Sequence, residues 1–201
     1  VAAYCLTEEE KQRLLDPSIG GVILFRRNFE NVGQLKALVQ EIKALRTPEL
    51  IIAVDHEGGR VQRFIEGFTR LPAMNTLGQI WNAEGEAAAK EKAEQVGWVL
   101  ATELTACGID LSFTPVLDLD WGTCPVIGNR SFHRNADTVT QLALALQKGL
   151  KRGGGCSEPR SHHCTPAWAT ERSPDTDSSK ATAIWCNPKT RAALSNSKPP
   201  T

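Results

Sequence analysis

Residues 50–64 read LIIAVDHEGGRVQRF, and this stretch decides the fold class. Its first five residues are apolar and mostly branched, which predicts a strand buried on both faces. The strand then meets Asp55, His56 and Glu57, two glycines that let backbone approach a ligand closely, and two arginines. A buried strand that delivers charges at its carboxyl end is typical of an α/β enzyme. The alternative is a strand-to-loop transition that carries a surface salt-bridge cluster.

The rest of the chain alternates between strand and helix patterns. Residues 20–25 and 110–121 read as further strands that end in charged side chains. Apolar side chains recur at helical spacing in segments 32–45, 83–107 and 139–150. Such alternation predicts a parallel sheet, either doubly wound or closed into a barrel. About four strand–helix units are visible, which is half of an eightfold barrel.

Composition narrows the class of protein. The chain has 201 residues, 41% of them apolar, 23% charged and with no net charge, so it does not resemble a nucleic-acid-binding protein. No apolar run is long enough to cross a membrane, and no secretory signal is visible. No glycine-rich phosphate loop follows the first strands, which disfavours a nucleotide-binding sheet. Three of the six cysteines, Cys5, Cys107 and Cys124, are expected to be reduced, as in the cytosol.

Three motifs in order resemble one enzyme family. They are DHEGGRV at 55–61, FTPVLD at 113–118 and IGNRSF at 127–132. Together they are similar to bacterial β-N-acetylhexosaminidases of glycoside hydrolase family 3, over residues 1–152. The resemblance implies the N-terminal half of a cytoplasmic (β/α)8 TIM barrel. It also implies hydrolysis, with retention, of terminal N-acetylglucosamine from peptidoglycan fragments during cell-wall recycling. It implies no metal and no cofactor, and it leaves the oligomeric state open.

The same resemblance assigns substrate binding to Asp55, Arg63 and Arg130. A carboxylate can accept hydrogen bonds from two sugar hydroxyls, and arginines donate to oxygens in a fixed geometry. For Arg130 the alternative is a structural bridge to Asp55 or Asp118. We expect Asp118 and Asp120 to order their loop rather than to bind substrate.

The catalytic groups of the family have no counterpart here. A retaining glycosidase needs a nucleophilic carboxylate and a separate acid/base. The resemblance implies a downstream Asp nucleophile and a His–Asp pair on a loop reading K-H-F-P-G-H-G, then D-S-H. Neither loop motif occurs in the chain. We therefore assign no catalytic residue and predict an inactive polypeptide, with a non-catalytic sugar-binding or interaction fragment as the alternative.

From residue 153 to 201 the composition changes abruptly. Only Ile184 and Leu194 remain among the Val, Ile, Leu, Met and Phe residues, and the segment is rich in proline. It cannot bury enough apolar surface to offset its ordering entropy, which predicts a domain at 1–152 and a disordered tail at 153–201. A zinc module is the alternative, although the ligand spacing fits no common pattern. Its candidate ligands are Cys156, His162, His163, Cys164 and Cys186.

A frameshift explains the tail differently. When the third base of each codon is read with the first two bases of the next, residues 172–186 permit FPGHG followed, after four residues, by DSHLV. This is the missing acid/base loop, in the family's order. We therefore hypothesise that residues after about 152 are translated out of frame. The codon of the key histidine would straddle Ala183 and Ile184.

Overall fold

A parallel sheet organises the computed structural model, which describes residues 1–157. The helices and strands are α1 (Glu8–Leu14), β1 (Gly21–Leu24), α2 (Val32–Lys43), β2 (Ile51–Val54), β3 (His56–Gly58), β4 (Val61–Gln62), α3 (Met74–Glu84), α4 (Glu86–Ala106), β5 (Leu111–Ser112), α5 (Ala136–Arg152) and β6 (Cys156–Ser157). The strands of the parallel sheet lie in the order β1-β2-β5-β6, and a separate antiparallel hairpin pairs β3 with β4. The predicted α/β class with a parallel sheet is confirmed. Closure into a barrel is not seen within residues 1–157.

Strand β2 lies where residues 50–54 predict a buried strand. Ile52 and Val54 are fully buried, and Ala53 between them is 5% exposed, so β2 is covered on both faces. Strand β1 differs, because Val22 is buried whereas Ile23 is 43% exposed. One face of the sheet is thus covered at both strands, whereas the face that carries Ala53 and Ile23 is covered at β2 and exposed at β1.

Local capping explains where the first two helices begin. The Thr7 hydroxyl accepts from the Glu10 backbone N–H, and the Glu10 carboxylate accepts from the Thr7 N–H, which is a capping box at α1. The Asn31 side chain accepts from the Gln34 N–H at α2. Helix α2 then buries its apolar stripe against the sheet. The buried residues of that stripe are Leu35, Leu38, Val39 and Ile42.

Helix α4 matches the helix predicted at 83–107 apart from a few residues at its start. Helix α3 was not predicted from the sequence, and it ends just before Gly85, after which α4 begins. Gly85 has φ +93°, outside the right-handed helical region, so the helix is interrupted at that residue.

Helices α4 and α5 pack with their backbones in contact. A Cβ on Gly97 would lie 2.2 Å from the Leu146 carbonyl oxygen, and a Cβ on Gly149 only 2.0 Å from that of Glu94. The Glu94 carboxylate also pairs with Lys148 at 2.8 Å. Only glycine permits this approach, so the α4–α5 layer depends on these two positions.

A polar link joins α2 to the central strands. One Asp110 carboxylate oxygen accepts from the Ile52 N–H at 2.9 Å, and the other pairs with Lys43 Nζ at 2.7 Å. Asp110 immediately precedes β5, so this carboxylate connects β5, β2 and α2. It lies at the amino-terminal end of the strands, away from Asp55.

The end of the described chain bears on the predicted tail. Strand β6 pairs with β5 beyond the predicted boundary at 152. The remainder of the tail, including the residues of the frameshift and all but one of the candidate zinc ligands, lies outside the described residues. Within residues 1–157 no cluster of three metal-ligand side chains occurs, and no helix is long and apolar enough to span a membrane. Cys5 and Cys107 are free thiols as expected, but Cys124 is in a disulfide, so that prediction is wrong.

Candidate functional site

A hairpin follows the carboxyl end of β2 and carries the charged motif. Its strands β3 and β4 turn at Gly58 and Gly59, which have φ +100° and +55°. A Cβ on Gly58 would lie 2.5 Å from the Pro72 carbonyl oxygen, and one on Gly59 would lie 2.8 Å from Ala73 Cβ. The close approach that the glycines permit is therefore to the chain's own backbone at 72–73. The sequence motif instead predicted a close approach to a ligand, and it gave no sign of the hairpin.

Asp55 and Arg63 lie together at the sheet's carboxyl end. Arg63 Nη2 is 3.5 Å from Asp55 Oδ2, and both side chains are partly exposed. The Arg63 guanidinium also lies over the Phe25 ring, 6.0 Å from its centroid. Its buried Nε has no hydrogen-bond partner within residues 1–157. A donor and a neighbouring carboxylate thus face the same site.

Arg130 reaches the same region from the short 3-10 helix at 128–130. Its Nε donates to Glu57 Oε2 at 2.8 Å, and its Nη2 donates to Glu57 Oε1 at 2.7 Å. The pKa of Arg130 is raised by these bonds to Glu57, and the charges of Asp55 and Asp118 act in the same direction. The structure therefore brings all three predicted binding residues into one cluster. It also adds Glu57, which the sequence analysis had not singled out as a partner of Arg130.

The loop that carries Arg130 is held by further contacts. Arg60 Nη2 donates to three successive carbonyl oxygens, those of Pro125, Val126 and Ile127. The Asp120 carboxylate accepts from the Gly122 N–H at 3.1 Å, which agrees with the predicted loop-ordering role.

His56 lies beneath the cluster as a buried imidazole. It is 1% exposed, packs against Phe64 and Phe68, and its Nδ1 has no hydrogen-bond partner among the described residues. Burial, with a smaller effect from Arg63, lowers the pKa of His56 from 6.5 to about 4. The imidazole is therefore neutral at neutral pH and belongs to the core rather than to the polar face.

This burial predicts that the protein loses stability in mild acid. Between the unfolded pKa of 6.5 and the folded pKa of about 4, the unfolded state binds more protons. The free energy of unfolding should therefore fall as pH drops through this window, by about 3 kcal/mol in total. In His56→Gln the loss should be smaller by that amount. Urea unfolding at several pH values measures it, and parallel pH profiles for the two proteins would contradict the prediction.

Comparison with known proteins gives the family. The sequence model of one protein family, the glycosyl hydrolase family 3 N-terminal domain, matches residues 3–164. The chain belongs to this family. Its relatives include a β-hexosaminidase from Neisseria meningitidis, 79% identical over 154 residues, which cover 77% of this chain and 43% of that protein. A β-hexosaminidase from Chromobacterium violaceum is 61% identical over 177 residues, covering 83% of this chain and 49% of the relative.

Solved structures agree with this family assignment. The crystal structure of NagZ from Neisseria gonorrhoeae in complex with N-trifluoroacetyl-D-glucosamine superposes with a TM-score of 0.79 and 77% identity. The match covers 80% of this chain and 48% of that one. The chain thus spans about half the length of the relatives that it matches.

Proposed function

We propose that this chain carries the sugar-binding part of a cytoplasmic, retaining β-N-acetylhexosaminidase. Its substrates would be peptidoglycan fragments with a terminal, non-reducing N-acetylglucosamine, released during cell-wall recycling. The observation that carries the proposal is the cluster of Asp55, Arg63 and Arg130 beyond the carboxyl ends of parallel strands. This is where α/β folds bind ligands. The names of the relatives support the same substrate class.

Each of the three residues has a role in the proposed complex. Asp55 accepts from two ring hydroxyls, because an ionised carboxylate offers two acceptor oxygens. Arg63 donates to a sugar oxygen through a guanidinium that Phe25 and Asp55 already orient. Arg130 adds positive charge and planar donor geometry on another side of the ring.

Turnover requires groups beyond this cluster. Retaining hydrolysis needs a nucleophilic carboxylate and an acid/base. In the cluster, Glu57 is bonded to Arg130 and Asp55 lies against Arg63, so both carboxylates serve the binding geometry. We therefore propose that the 201-residue polypeptide does not hydrolyse glycosides and that an out-of-frame tail replaces the catalytic loop. The family match at 3–164 includes the first residues of that tail.

A non-catalytic sugar-binding fragment is the second candidate. It is favoured by one feature, namely that the described residues 1–157 already bring the cluster together, through the end of β2, the β3–β4 hairpin and the loop at 124–131. Sugar binding without turnover in protein made from a frame-restored gene would select this candidate.

Sugar binding by the 201-residue chain tests the proposal directly. N-acetylglucosamine should bind saturably in an NMR titration, and Asp55→Asn should weaken binding at least about tenfold, because a charged hydrogen bond contributes about 1.5–3 kcal/mol. Asp16→Asn is the matched control, since Asp16 is an exposed carboxylate whose hydrogen bonds within residues 1–157 go to Ser18 in its own turn. Unsaturable binding by the unmodified chain, or equal affinity in Asp55→Asn, would remove the proposal.

A further inference from the structure

We infer that Glu57 is the positioning residue for Arg130 and that it sets the geometry of the sugar site without touching the sugar. The inference rests on the proposed sugar-binding function and assigns that site a residue beyond Asp55, Arg63 and Arg130. It comes from the ion pair between the hairpin and the loop at 124–131.

The geometry of this pair fixes the orientation of the guanidinium. Arg130 donates from Nε and Nη2, two groups on one edge of its plane, to the two different oxygens of Glu57. Two parallel bonds of 2.8 and 2.7 Å define the plane as well as the position of the guanidinium. The Glu57 side chain is 1% exposed and that of Arg130 is 12% exposed, so water does not loosen the pair.

Burial also excludes direct contact between Glu57 and the sugar. Both of its oxygens accept from Arg130, and its side chain lies beneath the site. The Asp55 side chain, two residues earlier, is 17% exposed. The two carboxylates of the motif thus have different roles in the inferred site. Asp55 faces the sugar, and Glu57 faces Arg130.

The hairpin makes a second set of contacts with the loop at 124–131, through Arg60. Arg60 Nη2 donates to the Val126 carbonyl oxygen, and Arg130 Nη1 donates to that same oxygen at 3.2 Å. The loop at 124–131 is therefore tied to the hairpin through Glu57 and Arg60. Arg60 is exposed, so its contribution should be the smaller of the two.

The experiment compares two ion pairs, one at the site and one remote from it. Glu57→Gln keeps the side-chain shape but removes the charge and one acceptor. It should weaken N-acetylglucosamine binding to the 201-residue chain about tenfold. Asp110→Asn removes the remote pair with Lys43 and should lower the Tm while leaving the Kd unchanged. Glu57→Asp, which restores the charge, should recover part of the affinity.

An NMR signal that does not depend on sugar tests the positioning role of Glu57 separately from the proposed sugar-binding function. The Nε–H of Arg130 should give a distinct NMR resonance, protected from solvent exchange, that loses protection in Glu57→Gln. If the unmodified chain binds no sugar, the proposed function fails, and this resonance alone decides whether Glu57 holds Arg130. An unchanged resonance, or a Glu57→Gln protein with a lower Tm and an unchanged Kd, would overturn the inference.

A milder variant covers the case in which Glu57→Gln does not fold. Arg60→Gln alters only an exposed side chain, so the fold should persist. It should weaken sugar binding a few-fold and speed the exchange of the Arg130 Nε–H, because the shared Val126 contact is lost. No change in either quantity would count against the positioning role of the hairpin.

Discussion

The 201-residue polypeptide is expected to release no aglycone from a chromogenic β-N-acetylglucosaminide, whereas protein from a frame-restored gene is expected to turn it over. The reason is chemical, since retaining hydrolysis needs a nucleophile and an acid/base in addition to a sugar site. Enzymes accelerate such reactions by about a millionfold or more, so the two proteins should differ by the full range of the assay. The restored gene carries a one-base change placed so that the codons of residues 172–186 read FPGHG and then DSHLV, and its reading frame continues into the downstream sequence, where the family resemblance implies the Asp nucleophile.

Two further measurements make this result interpretable. Asp55→Asn in the frame-restored protein should reduce turnover, which ties the activity to the cluster described above. Resequencing the source DNA from the codon of Leu150 through that of Thr201 and beyond shows whether the reading frame differs in the genome. Aglycone release by the purified 201-residue polypeptide would contradict the prediction that it is inactive.

Gly149→Ala is expected to destabilise the fold by about 3 kcal/mol, which lowers the Tm by roughly 10 °C for a chain of this size. The added Cβ would lie 2.0 Å from the Glu94 carbonyl oxygen and 2.8 Å from the Trp98 amide nitrogen. Backbone atoms cannot rotate away as a side chain can, so α4 and α5 must separate. The better helix propensity of alanine offsets only about 1 kcal/mol of this cost.

The matched control is the same substitution in open space. A Cβ on Gly20 would meet nothing within 4 Å, so Gly20→Ala should change the free energy of unfolding by no more than about 0.5 kcal/mol. Thermal unfolding of the three proteins by circular dichroism measures the difference. Equal midpoints for Gly149→Ala and the unmodified chain would show that the two helices are not in backbone contact.

Local patterns predicted much of the fold, and the failures have physical causes. Strand β2 and helix α2 were found because branched runs and helical stripes record burial directly. The backbone contact between α4 and α5 was not predicted, because it occurs at Gly97 and Gly149, which carry no apolar signal. The β3–β4 hairpin was missed because the buried side chains of its first strand, His56 and Glu57, are polar.

The sequence motifs named three side chains that the structure brings together, but they did not show how these side chains are bonded. The motifs named Asp55, Arg63 and Arg130, and the structure brings them together. Nothing local shows that Glu57 faces Arg130, because its partner lies 73 residues further along the chain. One signal for a buried ion pair was available in the sequence. Glu57 follows a buried strand and lies next to the paired glycines Gly58 and Gly59.

The same separation has a consequence for synthesis on the ribosome. When the hairpin emerges from the exit tunnel, Arg130 has not yet been made, and Glu57 has no partner for its carboxylate. An unpaired carboxylate resists burial, so the nascent hairpin stays hydrated until the second segment arrives. Long-range closure of this kind comes late in folding. The step that neutralises the buried charge is also the step that completes the cluster of Asp55, Arg63 and Arg130, so no nascent intermediate presents the whole cluster.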